Sequence, residues 1–361
     1  MIDTIAVLGA GNGGTAFAGH LAAKGFGVRL YESERFGENI AEIKRTKRIT
    51  LTGALELEGR IEAASTRIMD VLRGAQLVIV AVPGFAHDHM MAEMTGCLEE
   101  GQFILFVPGN YGALRFRKLF RELGIDKKAI LCEAPSMLYA CRRTGPASVA
   151  VRAVKRTMPV GVFPAVRTGE VMEELRDVFQ EFTATENVLS ASMSNPNCMV
   201  HVPASVLNTG WIESTGGKFD FYWEGISRSV AKVIEEMDRE RVAIGEGVGV
   251  DLCTLEKFFE IFYDLRAGSL HELLTTSEIH GRSSAPPDLG HRYVQEDTPF
   301  GLVPLASFGR HLGVPTPNID AVIRLASTMT GRNYFKEGIS VQKMGLAGMD
   351  RRAIAEFLQQ G

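Results

Sequence analysis

The sequence predicts an α/β fold in two parts: a strand–turn–helix N-terminal domain over residues 1–185 and a second, mainly α-helical domain over residues 186–361. Three observations predict it. The apolar run Thr4-Ile5-Ala6-Val7-Leu8 feeds a glycine-rich turn, Gly9-Ala10-Gly11-Asn12-Gly13-Gly14, then a helical stretch to Lys24 and a second strand ending at Glu32. Three later apolar runs repeat the scheme of a strand ending in a small-residue or proline loop. Beyond residue 185 no further strand–turn–helix unit is visible, and helix-period segments take over.

The first of these observations carries chemistry. A phosphate can settle on a helix N-terminus only where backbone N–H groups approach it without side chains in the way. Gly9 makes the tight turn, Gly11 clears a pyrophosphate, and Gly14 lets the helix pack on the strand; Asn12 and Gly13 lie in the same loop. With 38 glycines in the chain the spacing alone is weak evidence. Its position directly after an N-terminal strand, followed by an acid at the end of the next strand, makes it a Rossmann dinucleotide site. Glu32 then falls where a carboxylate accepts the adenosine ribose hydroxyls, which favours NAD by repelling a 2′-phosphate; Arg35, three residues on, keeps NADP open.

Arg35 to Ile49 reads as helical. Gln76 to Val82 is a near-continuous apolar strand ending at Pro83-Gly84, as expected of a parallel strand buried on both faces. Phe103 to Val107 followed by Pro108-Gly109-Asn110, and Ala129 to Glu133 followed by Ala134-Pro135-Ser136, repeat it. Such loops lie at the carboxyl edge of an open sheet, so Pro83, Gly109 and Ser136 are expected to line the cofactor cleft. In the second domain Ile226 to Ile244 and Cys253 to Leu265 have helical period, and Ser190 to Asn197 is an alternative crossing segment to the boundary at 185.

The bulk properties narrow the partners. A chain of 361 residues is long enough for two cores. Charged residues make up 23% and the net charge is −4, so neither nucleic acid nor an anionic membrane surface is favoured, and a small-molecule ligand is expected. There is no run of about 18 apolar residues and no basic, apolar leader, so the default address is the cytoplasm. Cys97, Cys132, Cys141, Cys198 and Cys253 are odd in number, widely spaced and free of CxxC pairs, which argues against disulfides and against a metal site.

Of eight histidines, His201 is the candidate for a group that titrates near neutrality. It sits where the polar, turn-rich Ser194-Asn195-Pro196-Asn197 enters an apolar helix, just past the expected domain junction, where a cleft between domains can hold a substrate. Read from sequence alone, a lone His on an apolar helix is more often a satisfied core residue. The segment from Gly290 to Pro304 places Arg292 and the carboxylates Glu296 and Asp297 beside a Pro/Gly turn: a guanidinium can grip a carboxylate with two hydrogen bonds, and a carboxylate beside a His fixes its tautomer. The bland alternative is a solvated charged turn. His87, His89, His271, His280, His291 and His311 read as surface residues, and His20 as lying on the outer face of the first helix.

These residues, taken together, resemble the opine dehydrogenases, the octopine/nopaline dehydrogenase family. The likeness runs through Ala6-Val7-Leu8-Gly9 to Gly14, Val82-Pro83, Gly112 to Lys118, Ser136-Met137-Leu138, Cys141-Arg142, Glu186 to Leu189, His201 with Asn208, Glu224-Gly225-Ile226, Arg292-Tyr293 with Glu296-Asp297, Gly301 to Leu305 and Val314 to Pro317. The resemblance implies a His201/Asp297 catalytic pair and a reductive condensation of the amino group of an amino acid with a 2-oxo acid such as pyruvate, driven by NADH or NADPH. It also implies Arg292 as the grip on a substrate carboxylate, Asn208 as a weaker hydrogen-bonding partner, and a homodimer formed through the helical domain. A 2-dehydropantoate or glycerol-3-phosphate type of dehydrogenase would instead ask for a catalytic lysine; Lys218, Lys232 and Lys257 are available but lack the expected surroundings. A nucleotide sensor that has lost catalysis is the alternative of another class, and the presence of both His201 and Asp297 argues against it.

Overall fold

A computed structural model describes residues 2–125, 129–277, 281 and 283–361. The chain divides into two compact units, Met1–Ser192 together with Leu358–Gly361, and Met193–Phe357. The division falls inside the Ser190 to Asn197 segment, and the last four residues belong to the first unit.

The strands of the first unit are β1 (Thr4–Leu8), β2 (Gly27–Tyr31), β3 (Arg48–Gly53), β4 (Leu57–Arg60), β5 (Ala63–Ser65), β6 (Leu77–Val80), β7 (Phe103–Phe106), β8 (Ile130–Glu133), β9 (Tyr139–Gly145), β10 (Ser148–Val154), β11 (Met158–Phe163) and β12 (Phe182–Ala184). Eight of them form one sheet in the order β12-β11-β8-β7-β6-β1-β2-β5. All neighbours in it are parallel except β8 and β11. The central strands are buried at every residue, which is why they read as unbroken apolar runs rather than as alternating ones. Chain order reverses about β1, placing the glycine turn at the topological switch point of a doubly wound sheet.

The remaining strands form a smaller sheet, β4-β3-β10-β9, that the sequence reading did not anticipate. Arg35 to Ile49 is not one helix. A 3₁₀ turn at Glu34–Ile40 passes into a short helix, Ala41–Thr46, which ends at left-handed Lys47 (φ 57°); β3 then starts and buries Ile49 and Leu51 at period two. This small sheet covers the outer face of the helix Asn12–Ala23. A Cβ on Gly59 would lie 2.1 Å from the Gly19 carbonyl oxygen, and one on Gly19 2.7 Å from Ile49, so two glycines permit the close approach. His20 is therefore not on a free outer face: its Nδ1 is 2.8 Å from the Tyr139 hydroxyl of β9.

The second unit is helical, with Asn197–Leu207, Arg228–Val248, Val303–Leu312 and Pro317–Thr330 as its main helices. Arg228–Val248 starts on a Ser227 cap and ends at left-handed Gly249. Its inward face carries a buried ion pair, Arg241–Asp238 at 2.7 Å, whose other hydrogen-bonding capacity is also used. Arg241 donates to the Met193 and Cys253 carbonyls, and Asp238 accepts from the Leu255 amide. Such a pair is tolerated in the interior because both its guanidinium and its carboxylate find further partners.

Candidate active site

The glycine turn is packed on nearly every side. Gly9 has φ +98°, and a Cβ there would meet Val82 at 2.6 Å; a Cβ on Gly14 would lie 1.8 Å from the Gly9 carbonyl oxygen, and one on Gly13 1.8 Å from Met137 Cε. Gly11 differs: apart from its own chain neighbours, no atom of the described residues lies within 4 Å of its Cβ position. The turn is thus closed where strand and helix meet and open at Gly11, the residue whose missing side chain would clear a pyrophosphate. Gly11 is also the N-cap of Asn12–Ala23 and offers no side chain to the first N–H groups, which leaves them available to an anion.

Glu32 is buried beside the turn, its carboxylate accepting the Ala10 amide at 3.1 Å and the Ser33 amide at 2.9 Å. Arg35 is exposed, its guanidinium 5.4 Å from the ring of Phe36. Pro83 caps the 3₁₀ turn Gly84–Ala86 after β6.

Arg143, on β9, is a residue the sequence reading missed. Its Nη1 donates to the Ala10 carbonyl at 2.8 Å, Nη2 to the Asn39 carbonyl at 3.0 Å, and its amide to Asn12 Oδ1 at 2.9 Å. Burial lowers its pKa, and the nearby Glu32 charge opposes that shift. The small sheet thus clamps the glycine turn through one guanidinium. The alternation of Tyr139 to Gly145 was the available signal.

At the carboxyl ends of β7 and β8 lies a buried carboxyl, Glu133. Its Oε1 accepts the Ala113 amide at 2.7 Å and its Oε2 the Ser192 hydroxyl. Burial pushes its pKa up to about 7 against those hydrogen bonds. Gly109 packs on it, since a Cβ there would lie 2.4 Å from Oε2, and Ser136 accepts a hydrogen bond from Lys155.

His87 corrects the surface reading. It is wholly buried, and burial aided by the Arg115 charge drives its pKa down to about 3. Asp88 and His89 made the stretch look exposed, but the helix His87–Thr95 turns His87 inward with Met90, Met91 and Met94. His89 is exposed, His271, His291 and His311 are partly buried, and His280 lies outside the described residues.

In the second unit the structure brings His201 and Asp297 together. They are 9% and 8% exposed, and Nδ1 of His201 is 2.7 Å from Asp297 Oδ2. The other ring nitrogen, Nε2, is 2.9 Å from the Tyr222 hydroxyl, and the imidazole stacks on Tyr293 with ring centres 3.8 Å apart and planes inclined by 19°. Two local features make this geometry. His201 lies mid-helix in Asn197–Leu207, facing inward. Asp297 immediately precedes a π-helical turn, Thr298–Leu302, whose Gly301 sits so close to that helix that a Cβ would lie 2.3 Å from Cys198 Cβ. An aspartate on Nδ1 fixes the tautomer and stabilises the imidazolium, the arrangement expected of an acid–base histidine.

Arg292 and Asn208 are placed differently. Arg292 is more than half exposed and pairs with the buried Glu296 at 2.9 Å, one helical turn from Asp297. Asn208 ends the His201 helix and gives both amide hydrogens to main-chain carbonyls, Ala204 at 2.8 Å and Gly225 at 2.7 Å. Tyr222, Tyr293 and Phe221, which enclose His201, were not singled out in the sequence, although Tyr293 lies beside Arg292 in the segment that was. Lys218, Lys232 and Lys257 are all exposed. Among the described residues no group of three or more His, Cys, Asp or Glu side chains is placed to hold a metal ion, and no helix is long and apolar enough to cross a membrane.

A doubly wound sheet with a glycine turn at its switch point, joined to a helical unit holding a buried His–Asp pair, defines a nicotinamide-dinucleotide oxidoreductase. The comparisons with known proteins agree. Residues 4–108 match the model of the NAD-dependent glycerol-3-phosphate dehydrogenase N-terminus, and residues 184–330 that of the α-helical domain of NAD/NADP octopine/nopaline dehydrogenase. The chain is 35% identical over 365 residues to an opine dehydrogenase from Arthrobacter sp. (strain 1C), covering 99% of both. A solved octopine dehydrogenase bound to NADH and L-arginine has the same fold, with TM-score 0.77 at 18% identity over 99% of this chain and 98% of that one. An NADP⁺-bound yersinopine dehydrogenase superposes with TM-score 0.73 at 14% identity, over 100% and 98%. The chain belongs to the opine dehydrogenase family of NAD(P)-dependent oxidoreductases.

Proposed function

We propose that this enzyme condenses the amino group of an amino acid with a 2-oxo acid such as pyruvate and reduces the resulting imine, with His201 and Asp297 as its acid–base pair. The observation that carries this reading is the buried Asp297–His201 contact at 2.7 Å, a paired imidazole in the unit that matches the family's helical domain. The exposure of the three candidate lysines stands against the lysine-dependent alternative.

The chemistry needs few groups. The amine nitrogen attacks the carbonyl carbon to give a carbinolamine, a proton goes to its oxygen, and water leaves to form the C=N bond. The bound nicotinamide supplies the hydride that reduces this bond. His201, oriented by Asp297, is the source of the proton. Arg292 grips a substrate carboxylate through its exposed guanidinium, exchanging part of its contact with Glu296. Asn208 retains Oδ1 as an acceptor, a weaker contact for the substrate amino group. At the first unit, Gly9, Gly11, Asn12, Gly13 and Gly14 cradle the pyrophosphate, and Pro83 borders the same site. Glu32 takes the ribose hydroxyls, which favours NADH over NADPH.

Mass analysis of the product tests the reading. With NADH, pyruvate and a panel of L-amino acids, the expected product has the summed mass of amine and oxo acid, less one water and plus two hydrogens. Formation of lactate alone would overturn it in favour of a simple 2-oxo acid reductase.

A further inference from the structure

The glycine turn is held by a residue outside the doubly wound sheet. Arg143, on β9 of the small sheet, donates from Nη1 to the Ala10 carbonyl at 2.8 Å and from its main-chain amide to Asn12 Oδ1 at 2.9 Å, so it grips the residues on both sides of Gly11. Thr15 Oγ1 donates to the same Ala10 carbonyl at 3.1 Å, and the Ala10 amide is taken by Glu32 at 3.1 Å. The guanidinium is itself anchored, because Nη2 donates to the carbonyls of Asn39, at 3.0 Å, and Pro146. The Ala10–Gly11 peptide is trans, and in a planar trans peptide the C=O and the N–H point in opposite directions. A carbonyl pinned towards Arg143 therefore turns the Gly11 N–H away from it, and no described residue accepts that N–H.

We infer that Arg143 is a positioning residue for the dinucleotide: by holding the Ala10 carbonyl and Asn12 it keeps the Gly11 N–H set to donate to the pyrophosphate. The inference rests on the reading of the glycine turn as the dinucleotide site. Two effects come from one guanidinium. It fixes the Ala10–Gly11 peptide before the cofactor arrives, so binding does not have to order it. Its charge also polarises the Ala10 carbonyl, which strengthens the N–H of the same peptide as a donor to an anion. Arg143 takes no part in moving the proton or the hydride, so its effect falls on cofactor affinity and not on the chemical step. A lysine is a point charge without the fork that spans several carbonyls, and replaces it only in part.

Fluorescence titration with NADH, its displacement by ADP-ribose, and steady-state turnover in Arg143→Met and Arg143→Lys test this. In Arg143→Met both NADH and ADP-ribose are expected to bind about tenfold or more weakly, as for the loss of a hydrogen bond from a charged donor. The KM for NADH rises with them, while kcat at saturating NADH stays within about twofold of the parent's. Arg143→Lys is expected to bind NADH with an affinity between those of the parent and Arg143→Met. NADH and ADP-ribose affinities in Arg143→Met within about twofold of the parent's would overturn the positioning role and leave the glycine turn standing as the dinucleotide site. Failure of the parent itself to bind NADH would overturn both. A lysine variant no better than the methionine one, or a fall in kcat with KM unchanged, would also overturn the role. If Arg143→Met does not fold, Arg143→Lys decides: weakened NADH binding with kcat held supports the role, and parental affinity overturns it.

Discussion

Asp297 Oδ2 lies 2.7 Å from Nδ1 of His201, and in the proposed function it sets which ring nitrogen exchanges a proton. In Asp297→Asn the side chain keeps its shape but loses its charge, so the imidazolium is no longer stabilised; single-turnover rates are expected to fall on the order of 10²–10⁴-fold with NADH binding intact. Glu133 gives a prediction of another kind. Its carboxyl titrates at about 7 when folded against 4.5 in the reference state, so across that window the unfolded chain is ionised while the folded chain holds the proton. Stability then falls as pH rises from about 4.5 to 7. Thermal midpoints of Glu133→Gln, measured across that range, should lack this contribution; a slope identical to the parent's would contradict the account. The pairing of His201 with Asp297 was expected through the family resemblance that the sequence carries, and the two side chains do meet. Tyr222 and Arg143 were not expected, because a single Tyr or Arg acquires meaning only from partners 21 and 133 residues away.

The two site-building elements are turns in which glycine removes a collision. Gly14 lets the helix Asn12–Ala23 approach the Gly9 carbonyl, so Gly14→Ala must displace the helix N-terminus from the strand. NADH affinity is expected to drop at least tenfold, read by fluorescence titration, with a loss of roughly 1–3 kcal/mol of stability. Gly301→Ala forces the π-turn away from Cys198 and carries Asp297 off His201; turnover should fall while NADH affinity holds. The large sheet was readable because buried parallel strands are apolar at every position. The small sheet was not, because β3 follows a helix closely and buries only Ile49 and Leu51 at alternate positions. The π-turn had no sequence signal beyond its Pro and Gly.

Across the whole molecule, the glycine turn lies wholly in the first unit and the His201–Asp297–Tyr222 contacts wholly in the second, so the proposed dinucleotide binding and acid–base step fall to different units. The chain's net charge of −4 suits a small-molecule enzyme better than a polyanion binder. His201→Ala is accordingly expected to bind NADH within about twofold of the parent and to lose nearly all turnover. In the proposed reaction, turnover requires two organic partners. NADH and NADPH oxidation, followed at the nicotinamide absorbance across L-amino acids paired with pyruvate, glyoxylate, 2-oxoglutarate and oxaloacetate, tests it when each partner is omitted in turn. Oxidation is expected only when amine and oxo acid are both present, and faster with NADH; oxidation by an oxo acid alone at the same rate would overturn the two-substrate reaction.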